Sequence, residues 1–433
     1  MTIRRDALWE YLRGALWVMP SAAVLIALVA GAVLSLVDIG PDSPLHPLLF
    51  QGTADDARTL LIGISGTMVT VVALVLGLTV VALQLSSTQF SPRLLHNFLR
   101  DRPNQVVLSV FVATFAYSTA GLYTVGVSAG GRTASYPRLA VTGALVLLLA
   151  SLGVLVFFAH HLAHSIQVDE IMRVIERGTL AVIKEGLPAG DGEPPSVPEW
   201  AVQVTARRSG YVQTIHPAVL APVAAGHGVN VCFLPTVGDH VVAGMPIAQA
   251  WPATRGDGGA ESPALHNAVR DAIRIGFERT LEQDAAFGIR QLVDMASKAL
   301  SPGINDPYTA VQAIDHLSVL VSMLARQPLG TYTVRTDAGI SVSVPGHTFG
   351  DYLRLSCALI RRYGAKEPAV VLAQLRLLRT ATAMIGRDPA RRTAVGTQVR
   401  LILADAERLI AQPADLEPVR AEADRLLRSL SRA

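Results

Sequence analysis

Four long runs of apolar residues occupy the first third of the chain. They extend over approximately 15–37, 60–85, 106–125 and 139–159. Each contains about 20 residues or more, which is the length that an α-helix needs to cross a bilayer core of about 30 Å. The pattern therefore predicts four transmembrane helices, called spans one to four here, in a transmembrane domain at 1–178. Span four is expected to continue as one helix to about Gly178.

Two later stretches alternate apolar and polar residues in the manner of strands. They are AVQVTARRSGYVQTI at 201–215 and VNVCFLPTVGDHVVAGMPIAQAW at 229–251, and both follow a linker rich in proline and glycine near 186–199. The pattern predicts a small β-module at 197–251 with a turn at Gly238 and Asp239. This module resembles half of a biotinyl/lipoyl-type barrel, although it contains no lysine that could carry a cofactor.

A mainly helical domain is predicted over 262–433, after a second linker at 252–263. A β-hairpin is expected near 331–345, with its turn at about 337–339. The predicted fold class is therefore an α-helical integral membrane protein with four transmembrane helices. A cytoplasmic α+β region follows, which contains the small β-module and the helical C-terminal part.

Composition and charge agree with a membrane protein and exclude several other classes. Hydrophobic residues make up 51% of the 433 residues and charged residues only 16%, with a mean hydropathy of +0.39. This is too apolar for an ordinary soluble enzyme. A net charge of +3 gives no large basic surface, so no nucleic-acid partner is expected. Two distant cysteines provide neither a disulfide framework nor a thiolate metal site.

Arginines cluster on one side of the predicted spans, and acidic residues on the other. Three arginines precede span one and three lie between spans two and three, whereas four aspartates lie between spans one and two. The positive-inside rule therefore predicts that both termini lie in the cytoplasm. Arg132 and Arg138 in the short outer loop oppose this orientation.

Small residues recur every three or four positions along span two. This small-residue stripe consists of Gly63, Gly66, Thr70, Ala73 and Gly77, and is continued by Gln84. Such a stripe can pack closely against another helix, which is the commoner use, or it can line a water-filled path. Span three adds a hydroxyl-rich run that includes Thr114 and Ser118, and these side chains are expected to face other helices or water rather than lipid.

Two further segments of the transmembrane domain carry candidate residues. A short helix is predicted at 91–102, where Arg93 and Arg100 can lie among lipid phosphates, either in gating or as a passive interfacial connector. His160 and His164 are four residues apart at the end of span four, a spacing that can hold a metal. No third ligand is evident beyond Asp169 or Glu170, so no metal or other cofactor is predicted.

The stretch ALSPGINDPYTAVQAIDHL at 299–317 reads as a corner between two helices. An amphipathic helix from 284 to 300 is stopped by Pro302 and Gly303, and Asp306 is placed to cap the next helix. Asn305 is left without a capping function. Charged residues approach the same corner, namely Glu278, Arg279, Glu282, Asp284, Arg290 and Asp294. The carboxylates among them and the Asn305 amide could hold a hard cation through oxygen ligands, although a solvated helix face is the commoner arrangement.

Three segments in order resemble a bacterial family of predicted membrane proteins that is catalogued only as a domain of unknown function. They are LQLSSTQFSPRLLHNFLRDRPNQ at 83–105, AHHLAHSIQV at 159–168 and QDAAFGIRQLVDMASKALSPGINDPYTAVQAIDHL at 283–317. The resemblance implies four membrane helices followed by a soluble region, in the inner membrane of a bacterium. It supplies no activity and no catalytic residues.

The usual catalytic motifs are absent from the sequence, so an enzyme is not expected. The leading hypothesis is an oligomeric, ion-conducting membrane protein whose spans two and three line the path, with an inorganic ion and membrane lipids as partners. Arg93, Arg100, His160, His164, Asn305 and Asp306 are then candidates for interfaces or gating. The alternative is a membrane-tethered sensor or scaffold without transport. A lipid-directed enzyme with His160 or His164 as general base is a weaker third hypothesis.

Overall fold

A computed structural model describes residues 17–37, 43–44, 46–89, 102–127, 137–165, 167–190, 195–253 and 258–431. The chain divides into an N-terminal unit at 1–167 and a C-terminal unit at 168–433. The boundary therefore lies before 178, the end of the predicted transmembrane domain.

Four helices of the N-terminal unit are long and apolar enough to cross a membrane, as predicted. They are α1 (Val18–Leu36), α2 (Ala54–Gln89), α3 (Arg102–Val127) and α4 (Arg138–Ser165). Helix α3 packs against the other three and has 44% of its span buried, compared with 17–22% for each of the others. The hydroxyl-rich span is therefore the central helix of the unit.

The helix after span four is separate from it. Helix α4 is described to Ser165, and α5 (Val168–Ala181) begins a new helix with Asp169 and Glu170 in its first turn. The expectation of one continuous helix to about Gly178 was therefore wrong. The apolar face of α5 is buried within the C-terminal unit against α8 (Ala285–Ala299) and α9 (Pro307–Leu324), and a π-turn (Val182–Gly186) ends the segment.

Two sheets form the β-part of the C-terminal unit. Their strands are β1 (Val202–Thr205), β2 (Gly210–Ile215), β3 (Val229–Phe233), β4 (His240–Val241), β5 (Pro246–Pro252), β6 (Ile273–Gly276), β7 (Tyr332–Arg335) and β8 (Ser341–Val344). One sheet has the strand order β1-β5-β3-β8-β7 and the other the order β4-β2-β6. All neighbouring pairs are antiparallel except β3 and β8.

The predicted hairpin is present as β7 and β8, and the predicted turn at Gly238 and Asp239 connects β3 to β4. The sequence did not predict that the hairpin joins the sheet of the β-module through β3, or that β6 joins the other sheet. Nor did it predict α6 (Pro217–Gly226), which packs on the larger sheet and against α7 (Pro263–Ala272), while α7 also contacts β6 of the smaller sheet. Segments on both sides of the second linker therefore share one hydrophobic core.

Six helices, α8 to α13, make up the described part of the helical region. Besides α8 and α9, they are α10 (Phe349–Gly364), α11 (Pro368–Thr382), α12 (Pro389–Leu409) and α13 (Pro413–Ser431). Several begin at a side-chain cap, because an Asp or Thr oxygen satisfies a backbone N–H that the first turn leaves free. Asp284, Asp306, Thr348 and Asp388 fill this role for α8, α9, α10 and α12.

Candidate functional site

The small-residue stripe of span two lies on the outer surface of the single-chain bundle. Gly63, Gly66, Thr70, Ala73, Gly77 and Gln84 are all exposed. A Cβ atom built on any of the three glycines would meet nothing within 4 Å. The opposite face of α2 carries Leu61 and Ile64 into the apolar core. Within the described chain, therefore, the stripe is not an intramolecular packing surface.

Thr114 and Ser118 lie elsewhere, inside the bundle. The Thr114 hydroxyl lies 2.9 Å from the Ser151 hydroxyl on α4, which joins the central helix to its neighbour. Ser118 is fully buried, and its hydroxyl has no hydrogen-bond partner among the described residues. The structure therefore does not bring these two side chains together with the stripe of span two within one chain.

The remaining candidates of the N-terminal unit give no metal site in the described residues. Arg93 and Arg100, with most of the predicted helix at 91–102, lie outside them. His160 and His164 are exposed, with ring centroids 4.2 Å apart, and Nδ1 of His164 lies 2.9 Å from the carbonyl oxygen of His160. No group of three or more potential metal ligands occurs in the part of the chain that the structure describes.

The corner at 299–317 is explained by local backbone chemistry. Asp306 caps α9 by accepting a hydrogen bond from the Thr309 N–H at 3.1 Å, and hydrogen bonds from Thr309 lower the pKa of Asp306. Asn305 is exposed and has a φ of 51°, the left-handed conformation that asparagine tolerates better than most residues. It donates its N–H to the carbonyl oxygen of Ser301. The predicted cap is therefore confirmed, and Asn305 makes the turn that reverses the chain.

The charged residues near this corner form separate pairs. Arg279 pairs with Asp284, Arg274 with Glu282, and Arg290 with Asp294. Each of these carboxylates is thus matched by an arginine rather than assembled with others around a shared centre.

A pocket of the C-terminal unit brings several polar groups together, with an empty volume of about 550 Å³ that includes its open mouth. Its walls come from five segments, at 187–188, 236–237, 283–285, 329–332 and 344–352. Sequence reasoning did not identify this pocket.

Asp284 and Arg279 form an ion pair at one side of the pocket. The Asp284 carboxylate accepts hydrogen bonds from Nε and Nη2 of Arg279 at 2.8 and 2.9 Å, and from the Phe287 N–H at 2.9 Å. Burial raises the pKa of Asp284, and Arg279 opposes this shift. Gly238 lies against the pair with a φ of 96°, and a Cβ atom there would approach the Asp284 Oδ2 to 2.5 Å. The predicted Gly-Asp turn thus leaves room for the ion pair.

Aromatic side chains form another wall. Tyr352 is only 3% exposed, and burial is the main cause that raises its pKa. Burial also raises the pKa of Tyr332 to about 12. The ring of His347 meets that of Tyr352 edge to face, with centroids 5.4 Å apart. Both phenols therefore remain protonated at neutral pH and can act as hydrogen-bond donors.

Comparisons with known proteins identify a family without an assigned activity. Residues 13–380 match the family described as "Predicted membrane protein (DUF2254)". Uncharacterised proteins of Mycobacterium bovis and Mycobacterium tuberculosis are each 45% identical over 422 residues, covering 96% of this chain and 80% of theirs. No solved structure gives a significant match. The family match and the four apolar helices confirm the resemblance inferred from the three sequence segments. The chain therefore belongs to this family of predicted membrane proteins.

Proposed function

We propose that this protein is an oligomeric, channel-like membrane protein that conducts an inorganic ion. In this proposal it lies in the inner membrane of a bacterium with both termini in the cytoplasm. The path lies between copies of the chain and is lined by the small-residue stripe of span two. The C-terminal unit serves as the cytoplasmic domain for assembly and gating, and the protein catalyses no reaction.

The exposure of the stripe is the observation that carries this proposal. Apolar side chains such as Leu61, Phe111 and Phe158 fill the interior of the single-chain bundle. A conducting path is therefore better accommodated outside one bundle, between neighbouring copies. Glycine, alanine and threonine on the outer face of α2 leave space for such a path and offer a hydroxyl group to it.

Two matched variants test the proposal. Purified full-length protein is reconstituted in lipid bilayers, and macroscopic and single-channel currents are recorded with ion substitution. Gly77→Leu is expected to abolish discrete currents, because the side chain would enter the path. Gly153→Leu is the control, since Gly153 is also exposed and has nothing within 4 Å of its Cβ position, but lies on α4 outside the stripe.

The outcomes separate the alternatives. Currents lost in Gly77→Leu and retained in Gly153→Leu would support a path lined by span two. Equal currents in the two variants and the unmodified protein would overturn that assignment. Complete silence from folded, oligomeric protein would favour the second candidate, a membrane-tethered sensor whose C-terminal unit binds a ligand. The pocket beside Asp284 and Tyr352 is the observation that favours this candidate.

A further inference from the structure

We propose that the pocket lined by Gln283, Tyr332, His347 and Tyr352 binds a compact, uncharged organic molecule that presents a carbonyl-type acceptor oxygen on an apolar body. This inference goes beyond ion conduction and does not depend on it. It deepens the second candidate function, because it gives the chemical class that such a sensor would recognise.

Hydrogen-bond donors without partners are the first reason. Among the described residues, the hydroxyl groups of Tyr332 and Tyr352 have no hydrogen-bond partner. Tyr352 lines the pocket, and its hydroxyl is not among the fully enclosed polar atoms. Because Tyr352 is 97% removed from solvent, the pocket is the space from which a ligand could reach this hydroxyl.

Gln283 adds a donor of the same kind. Its Oε1 already accepts a hydrogen bond from the Ile215 N–H at 3.0 Å. The Nε2 group of Gln283 is therefore left to donate to a ligand. Two phenol groups and one amide thus offer donors to the same space, and a ligand with acceptor oxygens can use them. Water can reach these donors in the open pocket, and the acceptor oxygen of a ligand would take its place.

The charge distribution favours an uncharged ligand. The nearest carboxylates are already engaged, Asp284 by Arg279 and Asp351 by the Thr348 N–H and by Arg354. An anionic ligand would lie near both carboxylates, and the described residues that line the pocket include no arginine or lysine to pair with it. A cationic ligand would gain little from carboxylates that already have charged partners, and burying an unpaired charge is costly.

The remaining walls suit an apolar body. Leu187, Pro188, Val237 and Pro345 contribute aliphatic surface, and the His347 and Tyr352 rings contribute aromatic surface. Most small-molecule sites combine such apolar walls with a few convergent polar groups. The donors would therefore set the orientation of the ligand, and the walls would contribute most of the buried area.

Three probes that share one ring and differ in charge test this class. Full-length protein in lipid nanodiscs is titrated with p-fluorobenzamide, p-fluorobenzoate and p-fluorobenzylamine, and fluorine NMR line widths report binding. Concentrations extend to about 10 mM, because ligands of this size reach affinities in the millimolar range. Empty nanodiscs give the contribution of partition into lipid. The neutral amide is expected to bind in a saturable way and more tightly than either charged probe.

Conservative variants locate the binding. Tyr352→Phe and Tyr332→Phe keep the rings and remove the hydroxyl groups, and each is expected to weaken binding of the amide roughly fivefold. Tyr363→Phe is the control, because Tyr363 lies on the same helix as Tyr352 but is 50% exposed and outside the pocket. It is expected to bind as the unmodified protein does.

Three results would overturn the inference. One is tighter binding of the benzoate or the benzylamine, which would contradict the proposed charge class. Another is unchanged amide binding in both Tyr332→Phe and Tyr352→Phe, which would place the ligand elsewhere. The third is the absence of saturable binding by any of the probes. None of these readouts involves current, so failure here is distinguishable from failure of the conduction proposal.

Discussion

A close contact between two helices of the C-terminal unit gives a quantitative prediction. Gly288 on α8 faces Thr179 on α5, and a Cβ atom at Gly288 would lie 1.9 Å from the Thr179 Oγ1. An ordinary contact begins at 3.4 Å, so the two groups would have to separate by about 1.5 Å. Helix α5 is the first helix of the C-terminal unit, and its packing on α8 therefore fixes the start of that unit.

Gly288→Ala is therefore expected to destabilise this contact. Overpacking of a buried site typically costs about 1–3 kcal/mol, and Thr179 is fully buried. Alanine regains about 1 kcal/mol of helix propensity relative to glycine. Because the overlap of about 1.5 Å is large, we place the cost in the upper half of that range, so the expected net loss is about 1–2 kcal/mol. This corresponds to a roughly 5- to 30-fold larger open population. Hydrogen exchange of the amides in α5 and α8, measured by mass spectrometry on full-length protein in nanodiscs, would report it.

A double-mutant cycle isolates the steric cause. Thr179→Ala removes Oγ1, whose hydrogen bond runs only to Ile175 within α5, and is expected to cost about 1 kcal/mol for the lost methyl group. Combined with Gly288→Ala, it should cost less than the sum of the two single changes. Gly303→Ala is the control, because nothing lies within 4 Å of its Cβ position. Unchanged exchange in Gly288→Ala, or strictly additive costs, would refute the close packing of α5 on α8.

Substitutions at three other positions address the corner and the pocket. Asp306→Ala should cost about 1 kcal/mol at the start of α9. The pKa of Asp306 is lowered in the folded protein. The stability that Asp306 contributes should therefore be present above its unfolded pKa of about 3.9 and be lost as the pH falls through its folded pKa. Hydrogen exchange against pH checks this, and unchanged exchange in the first turn would contradict it. Asn305→Gly should leave the melting temperature unchanged or raised, whereas Asn305→Val should lower it, because φ is positive. Equal melting temperatures would contradict a backbone role. Gly238→Ala should lower the melting temperature by crowding Asp284, and an unaltered value would contradict that contact.

The spans and the corner could be predicted because their signals are local. An apolar run of sufficient length determines a membrane helix without reference to the rest of the chain. The cap at Asp306 and the proline at 307 act within one turn of helix, so a stretch of a few residues contains the necessary information. The end of span four was harder to predict, because apolar residues continue at helical spacing past Gln167, which lies between α4 and α5.

The missed elements depend on contacts distant in sequence. Strand β6 has only four residues and follows α7 directly, so its local pattern resembles a continuation of the helix. Pairing with β2 makes it a strand. The parallel pairing of β3 with β8 likewise joins Val231 to Val342. The walls of the pocket come from both the hairpin and the start of α8, so no single segment carries all of its polar groups.

The structure also changes the choice between the two interpretations of the small-residue stripe. Small-residue interfaces between helices are common in membrane proteins, and this favoured packing. However, the other described helices of the chain do not contact Gly63, Gly66 or Gly77. If the stripe packs against a helix of this protein outside that bundle, a second copy supplies it. If it lines an aqueous path, other copies are needed to separate that path from lipid. Within the described residues an oligomer would satisfy either interpretation, which makes the oligomeric state in lipid a prior test of the conduction proposal: a strictly monomeric protein in nanodiscs would contradict that proposal.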